Sequence, residues 1–118
     1  MSEDPEFRTV YAPPRFPVST GAPVRFLSVV LRGKEVGYLW AAATDDAAGF
    51  MARKAAGGDA FNASIQWADR LQWAKANGLT PLQALRHWVG DTEDAKAGAV
   101  SGEEREATGL SALEGMAN

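Results

Sequence analysis

The side chains best suited to chemistry are few and far apart. His87 is the only imidazole, and cysteine is absent. A general base needs a partner group within reach, and no G-x-S-x-G elbow offers a nucleophile. Asp45 and Asp46 form an adjacent carboxylate pair, but their place ahead of an apolar stretch suits the capped, negative first turn of a helix. No spacing of His with carboxylates supplies the convergent ligands a metal needs, and without Cys there is neither a thiolate site nor a disulfide. Gly33-Lys34 and Gly57-Gly58 match neither glycine-rich phosphate motif and read as a turn and a helix stop. A protein that is not an enzyme, with no metal and no cofactor, is expected.

Binding chemistry has more support. On a helical wheel Trp73 falls with Gln66, Asp69 and Arg70, opposite the apolar arc of its own helix. A large aromatic on a polar face is a feature of protein interfaces, where it brings apolar area with a polar handle. Trp73, Gln66 and Arg70 are therefore candidates for a protein-interaction surface, joined by Phe26 and Val30 from the second apolar face of a hairpin. The alternative is a weak DNA-binding regulator. From Gln72 to Val89 the chain reads helix, turn, helix, with Ala74 and Gly78 at the four-residue spacing that a helix-turn-helix prefers. Gln83, Arg86 and His87 would then be the nucleic-acid contacts. Asn77 and His87 occupy positions that are normally apolar in that motif. Cations are sparse on the second helix, and phosphate contacts dominate such affinity. Another protein is thus the expected partner, with nucleic acid second, and a monomer and a homodimer both stay open.

These groups must be carried by a small scaffold. The chain has 118 residues and a net charge of −3, and 22 of its apolar residues are alanine. That length suits one domain with tails. No apolar stretch approaches the roughly 20 residues of a membrane span. The acidic start, MSEDPEF, has no apolar core of a secretory signal, so the cytoplasm is the expected location. Residues 24–89 carry eight basic and five acidic groups, residues 90–118 two and seven. Large apolar residues concentrate in the same central stretch. Three segments follow: a Pro-rich extended arm over 1–23, a single α+β domain over 24–90, and an acidic tail over 91–118. With only Val100, Leu110, Leu113 and Met116 as large apolar groups, the tail is expected to be disordered. A short helix near Gly102 to Thr108, capped by Ser101 and Glu104, is its one structural signal. In the arm, Tyr11 and Phe16 suit packing onto the module's own surface, and Pro14-Arg15-Phe16-Pro17 formally fits a PxxP ligand.

The fold class predicted is α+β: a β-hairpin packed against three α-helices, open to extension into a three-stranded sheet by the arm or a second subunit. Val24 to Arg32 and Val36 to Ala42 read as strands joined by a type II′ turn at Gly33-Lys34. That turn places Leu27, Val29 and Leu31 with Val36, Tyr38 and Trp40 on one face, the bulkier one, which should receive the helices. Arg32 and Glu35 would pair across the loop. The first helix starts at Thr44-Asp45-Asp46 and stops at Gly57-Gly58. The second starts at Asp59 and stops at Asn77-Gly78, with Phe61, Ser64, Ile65, Trp67, Ala68, Leu71 and Ala74 on its inner arc. The third has Thr80 as N-cap, Pro81 in the first turn, Gln83 as capping-box partner and Leu82, Leu85, Trp88 and Val89 as a buried stripe.

Gly37-Tyr38-Leu39-Trp40, Asp45-Asp46-Ala47-Ala48-Gly49-Phe50, and Gly78-Leu79-Thr80-Pro81 with Ala84-Leu85 resemble small proteins of high-GC actinobacteria with no known function. Frequent Ala and Arg in excess of Lys fit that style. The resemblance spans roughly residues 25–90 and implies no activity, cofactor or site.

Overall fold

The computed structural model describes residues 14–118. Tyr11, Pro13 and the first part of the arm lie outside the described residues. The fold is α+β: a five-stranded antiparallel sheet with three α-helices. Strands β1 (Val24–Leu31), β2 (Lys34–Ala42) and β3 (Ala48–Ala52) precede helices α1 (Gly57–Ala76) and α2 (Pro81–His87). Short strands β4 (Ala99–Val100) and β5 (Arg105–Ala107) and helix α3 (Leu110–Ala117) complete the chain. The sheet order is β3-β2-β1-β4, with β5 pairing farther along the same edge of β1. No helix is long and apolar enough to cross a membrane among the described residues.

The hairpin forms where expected, but its turn and register differ. Arg32 and Gly33, both at positive φ (50° and 77°), make the turn, and Leu31 pairs with Lys34. Two left-handed central residues match the strand twist, as in a type I′ turn. Val36 is then an extra residue: Val29 pairs with Gly37 and Val30 with Glu35. A bulge of one residue reverses the facing of everything beyond it. Tyr38 and Trp40 therefore share a face with Val24 and Phe26, while Leu27, Val29 and Leu31 share theirs with Val36, Leu39 and Ala41. The helices α1 and α2 cover the second of these faces, so Trp40 and Tyr38 lie opposite the side predicted for them. Arg32 and Glu35 do not pair with each other. Arg32 joins Lys34 on Asp59, and Glu35 meets Arg53.

The helix predicted from Thr44 is instead a tight turn and strand β3. Asp45 has φ 63°, and the Ala42 N–H donates to the Ala47 carbonyl at 2.8 Å. Phe50 and Met51 then alternate between the two sheet faces, which is strand period, not helix period. Acidic residues at the turn mimicked a helix start. Pairing with β2 overrode the local preference. Two glycines permit the close fit: a side chain at Gly37 would strike the Phe50 ring, and one at Gly49 the Trp40 ring.

Helix α1 starts at Gly57, two residues before its expected Asp59 cap, and its buried arc is narrower than predicted. Ala60, Ala63, Trp67, Leu71 and Ala74 are buried, whereas Phe61 and Ile65 are 65% and 46% exposed. Helix α2 forms with the predicted cap: Thr80 Oγ1 accepts from the Gln83 N–H, and Gln83 Oε1 accepts from the Thr80 N–H. Leu85 and Trp88 are buried, but Val89 is exposed, because α2 ends at His87 and Val89 bridges to Val100.

The tail is ordered, contrary to the expectation of disorder after residue 90. Asp94 accepts from the N–H groups of Lys96 and Ala97, and the Ala97 carbonyl accepts from Trp67 Nε1 at 3.0 Å. The segment expected as a weak helix is strand β5. Helix α3 then inserts Leu113 and Ala117 against the Phe26-Tyr38-Trp40 face. In the arm, Phe16 is buried in the core and the Pro17 carbonyl accepts from the Ala48 N–H. The PxxP stretch is thus already engaged by its own domain.

Candidate functional site: an aromatic ladder on α1 and α2

Helix α1 and the α2 end build a ladder of rings running from core to solvent. Trp67 is fully buried and packs edge-on against Trp88, with centroids 5.3 Å apart. Trp88 meets His87 at 4.8 Å and Trp73 at 6.1 Å, and Trp73 lies 5.3 Å from His87. Six positions separate Trp67 from Trp73 on α1, which turns Trp73 to the helix flank. The residue is 48% exposed. The Arg70 guanidinium lies 4.7 Å from the Trp67 ring and 5.9 Å from Trp88, a cation–π arrangement. Asp94 approaches it at 3.9 Å. The Asp94 carboxyl is held below its usual range, first by the Ala97 and Lys96 N–H groups and only then by Arg70.

Trp73, Arg70 and half-buried Gln66 lie on one flank of α1. Phe26 is not part of that surface. It is 2% exposed, edge-on to Tyr38 at 5.7 Å with the Arg105 guanidinium 4.8 Å above it. Its face is closed by β5 and α3, the elements that composition argued against. Val30 is half-buried and pairs with Ala99, so it too is taken by the chain's own sheet. His87, expected only as a nucleic-acid contact, belongs to the aromatic ladder. Its value was hidden because the ladder depends on how α1 and α2 cross.

The other two nucleic-acid candidates are committed elsewhere. The Gln83 side chain closes the α2 capping box. Arg86 donates twice to Glu104, at 2.8 and 3.0 Å, and Arg25 reaches the same carboxylate at 2.7 Å. The Arg86 hydrogen bonds, opposed by burial and helped by Arg25, pull the Glu104 carboxyl down to about 2. Helix α2 therefore presents no uncommitted guanidinium to a phosphate.

A second polar cluster had no signal in the sequence. The bulge turns Tyr38 onto the face that carries Ser28 and Glu35. Its carboxylate accepts from Ser28 Oγ at 2.6 Å, from the Tyr38 hydroxyl at 3.0 Å and from Arg53 at 3.0 Å. Burial pushes the carboxyl up, and the Ser28 and Tyr38 hydroxyls with the Arg53 charge outweigh it, leaving Glu35 below its usual range. Burial and the same carboxylate push the Tyr38 hydroxyl up. Arg105 donates to Ser28 Oγ at 3.2 Å. The donors to Glu35 come from β1, β2 and the residue just after β3, and Arg105 of β5 backs them through Ser28. The cluster braces the bulge. Among the described residues no group of three His, Asp or Glu gathers as a metal site. Comparison with family models, with curated proteins and with solved structures finds no match.

Proposed function

We propose that the protein is a non-enzymatic interaction module of the cytoplasm that docks a partner protein on the Trp73 flank of α1. The observation that carries this is the half-exposed Trp73 at the open end of a rigid ladder anchored on buried Trp67. An indole held by Trp88 and His87 loses little rotamer freedom on binding, which is what an interface anchor requires. The Arg70 guanidinium packs on Trp67 and Trp88, the rings that back Trp73. An aromatic patch of this kind fits a partner side chain laid over the exposed face of Trp73.

Pull-down from native lysate with the full chain and with Trp73→Ala tests the proposal. Because Trp73 is half-exposed, the substitution costs about 1 kcal/mol of stability at most, so loss of capture reports the surface. Capture of the same proteins by both forms, each in the same amount, would rule it out.

A further inference from the structure

The opposite flank of α1 carries a different surface. There the helix, strand β3 and the arm form an open groove of about 170 Å3, lined by Arg15, Phe16, Val18, Phe50, Ala68 and Leu71 among others. Val18 is 71% exposed at its edge, and Phe61 and Ile65 stand exposed on the same flank of α1. Along the groove runs the outer edge of β3. The Ala42–Ala47 hydrogen bond and the Arg53 N–H to Val36 bond fix which β3 residues face β2. By alternation, Ala48, Phe50 and Ala52 turn their backbone N–H and C=O groups outward. Ala48 is satisfied by Pro17. Phe50 and Ala52 have no hydrogen-bond partner for these groups among the described residues. The charge at the groove has one sign. Arg15 lines it, Lys75 lies 5.5 Å over the Phe16 ring, and neither has an acidic partner among the described residues.

We propose that this groove binds an extended, acidic segment of a partner protein, added as a strand to the β3 edge with its apolar side chains between Phe50 and α1. Three observations converge on that chemistry. An extended chain, the arm at Pro17, already bonds this edge, so the edge accepts strand addition. The groove beside that edge is lined chiefly by apolar side chains, among them Phe16, Phe50 and Leu71. Arg15 in its wall and Lys75 over the adjoining Phe16 ring, without acidic partners among the described residues, favour carboxylates and disfavour a basic segment. The site shares no residue with the Trp73 surface, so either can fail alone.

The test uses the full chain and a fluorescein-labelled eight-residue peptide of alternating valine and glutamate, followed by anisotropy. A valine–lysine peptide of the same length is the control. We expect the acidic peptide to bind and the basic one not to. Binding should weaken about tenfold in Arg15→Glu/Lys75→Glu and fall as salt is raised. Ala68→Arg, which fills the groove from an exposed helix position, should abolish binding while the circular dichroism spectrum and thermal midpoint hold. Trp73→Ala should leave binding unchanged. Equal binding of both peptides, no binding, or indifference to Ala68→Arg in a folded protein would overturn the assignment. So would concentration-dependent dimerisation that Ala68→Arg disperses, which makes a second copy the occupant. A tenfold gain in affinity on deleting residues 1–13 would overturn it too, by making the chain's own start the occupant.

Discussion

The two faces of the sheet are covered in opposite ways. On one, α1 and α2 bring Trp67, Leu71, Leu85 and Trp88 down onto Leu27, Val29, Leu31 and Leu39. Cover and sheet each contribute large apolar groups. On the other, the sheet contributes Phe26, Tyr38 and Trp40, and the cover is chiefly Ala47, Ala107, Ala117 and Leu113, with Leu110 partly buried beside them. A segment poor in large apolar residues can still order if the surface beneath it is rich in them. The area removed from water belongs to both partners, and only one of them needs to be strongly apolar. Small residues are even an advantage over three aromatic rings, because they let the backbone approach closely.

Trp67→Ala should produce the largest effect. It empties a fully buried indole site that contacts Phe50 and Trp88 and removes the bond to Ala97. The expected cost is about 3–5 kcal/mol, read as a lower urea midpoint at constant slope. Leu113→Ala should cost less, about 2–3 kcal/mol, because α3 is a short helix of eight residues that can detach locally. Hydrogen exchange separates the two: Leu113→Ala should raise exchange in β5 and α3 while α1 stays protected. Equal exchange throughout would mean that the faces unfold as one unit, and the contrast drawn above would fail.

A smaller substitution probes fit at the back of that second face. A side chain at Gly49 would come within 2.8 Å of the Trp40 ring, which is buried and has nowhere to move. Gly49→Ala should therefore destabilise by about 1–3 kcal/mol through overpacking. Gly21→Ala, with nothing within 4 Å, is the control and should be near neutral. Stabilisation by Gly49→Ala would show that the Trp40 site is looser than the tail face requires.

The same contrast explains what could be read from the sequence. The hairpin, α1 and α2 were legible because their signals are local: β-branched runs around a turn, a 3.6-residue apolar period, and the Thr80-Gln83 cap. The face assignment of Tyr38 and Trp40 was not, because one bulged residue at Val36 inverts it and nothing near Val36 announces the bulge. Strand β3 was misread because Asp45 and Asp46 suit a helix start as well as a turn. Asp45 accepts from the Leu82 N–H at 2.8 Å, so its role is set by a residue far along the chain. The tail was misjudged by counting only its own apolar groups, when the area it removes from water lies on the sheet. For the candidate site, Trp73, Gln66 and Arg70 followed from the helical wheel alone. The joining of His87 to them, and the withdrawal of Phe26, depend on the helix crossing and on α3.

The smallest expected effect concerns the link between the two covers. Glu104, just ahead of β5, holds Arg86 of the helix layer and Arg25 of β1, so it ties the tail to the other side of the sheet. Its carboxyl titrates near 2 in the folded protein, against an ordinary value of 4.5. A carboxyl lowered on folding adds stability that is fully present above the unfolded value and disappears as pH falls toward the folded one. The contribution should therefore be intact above about pH 4.5 and lost toward pH 2. Arg86 is half exposed to solvent, which screens the pair, so the loss should be about 1 kcal/mol, not the larger figure the shift alone suggests. Glu35, Asp59 and Asp94 are lowered too, so each also loses stabilisation as pH falls below its ordinary value. Comparison with Glu104→Gln isolates the link: urea midpoints of the two proteins should differ at pH 6 and converge near pH 2.5. A constant gap across that range would mean that Glu104 acts through packing. The helix and tail layers would then be joined only through the sheet between them.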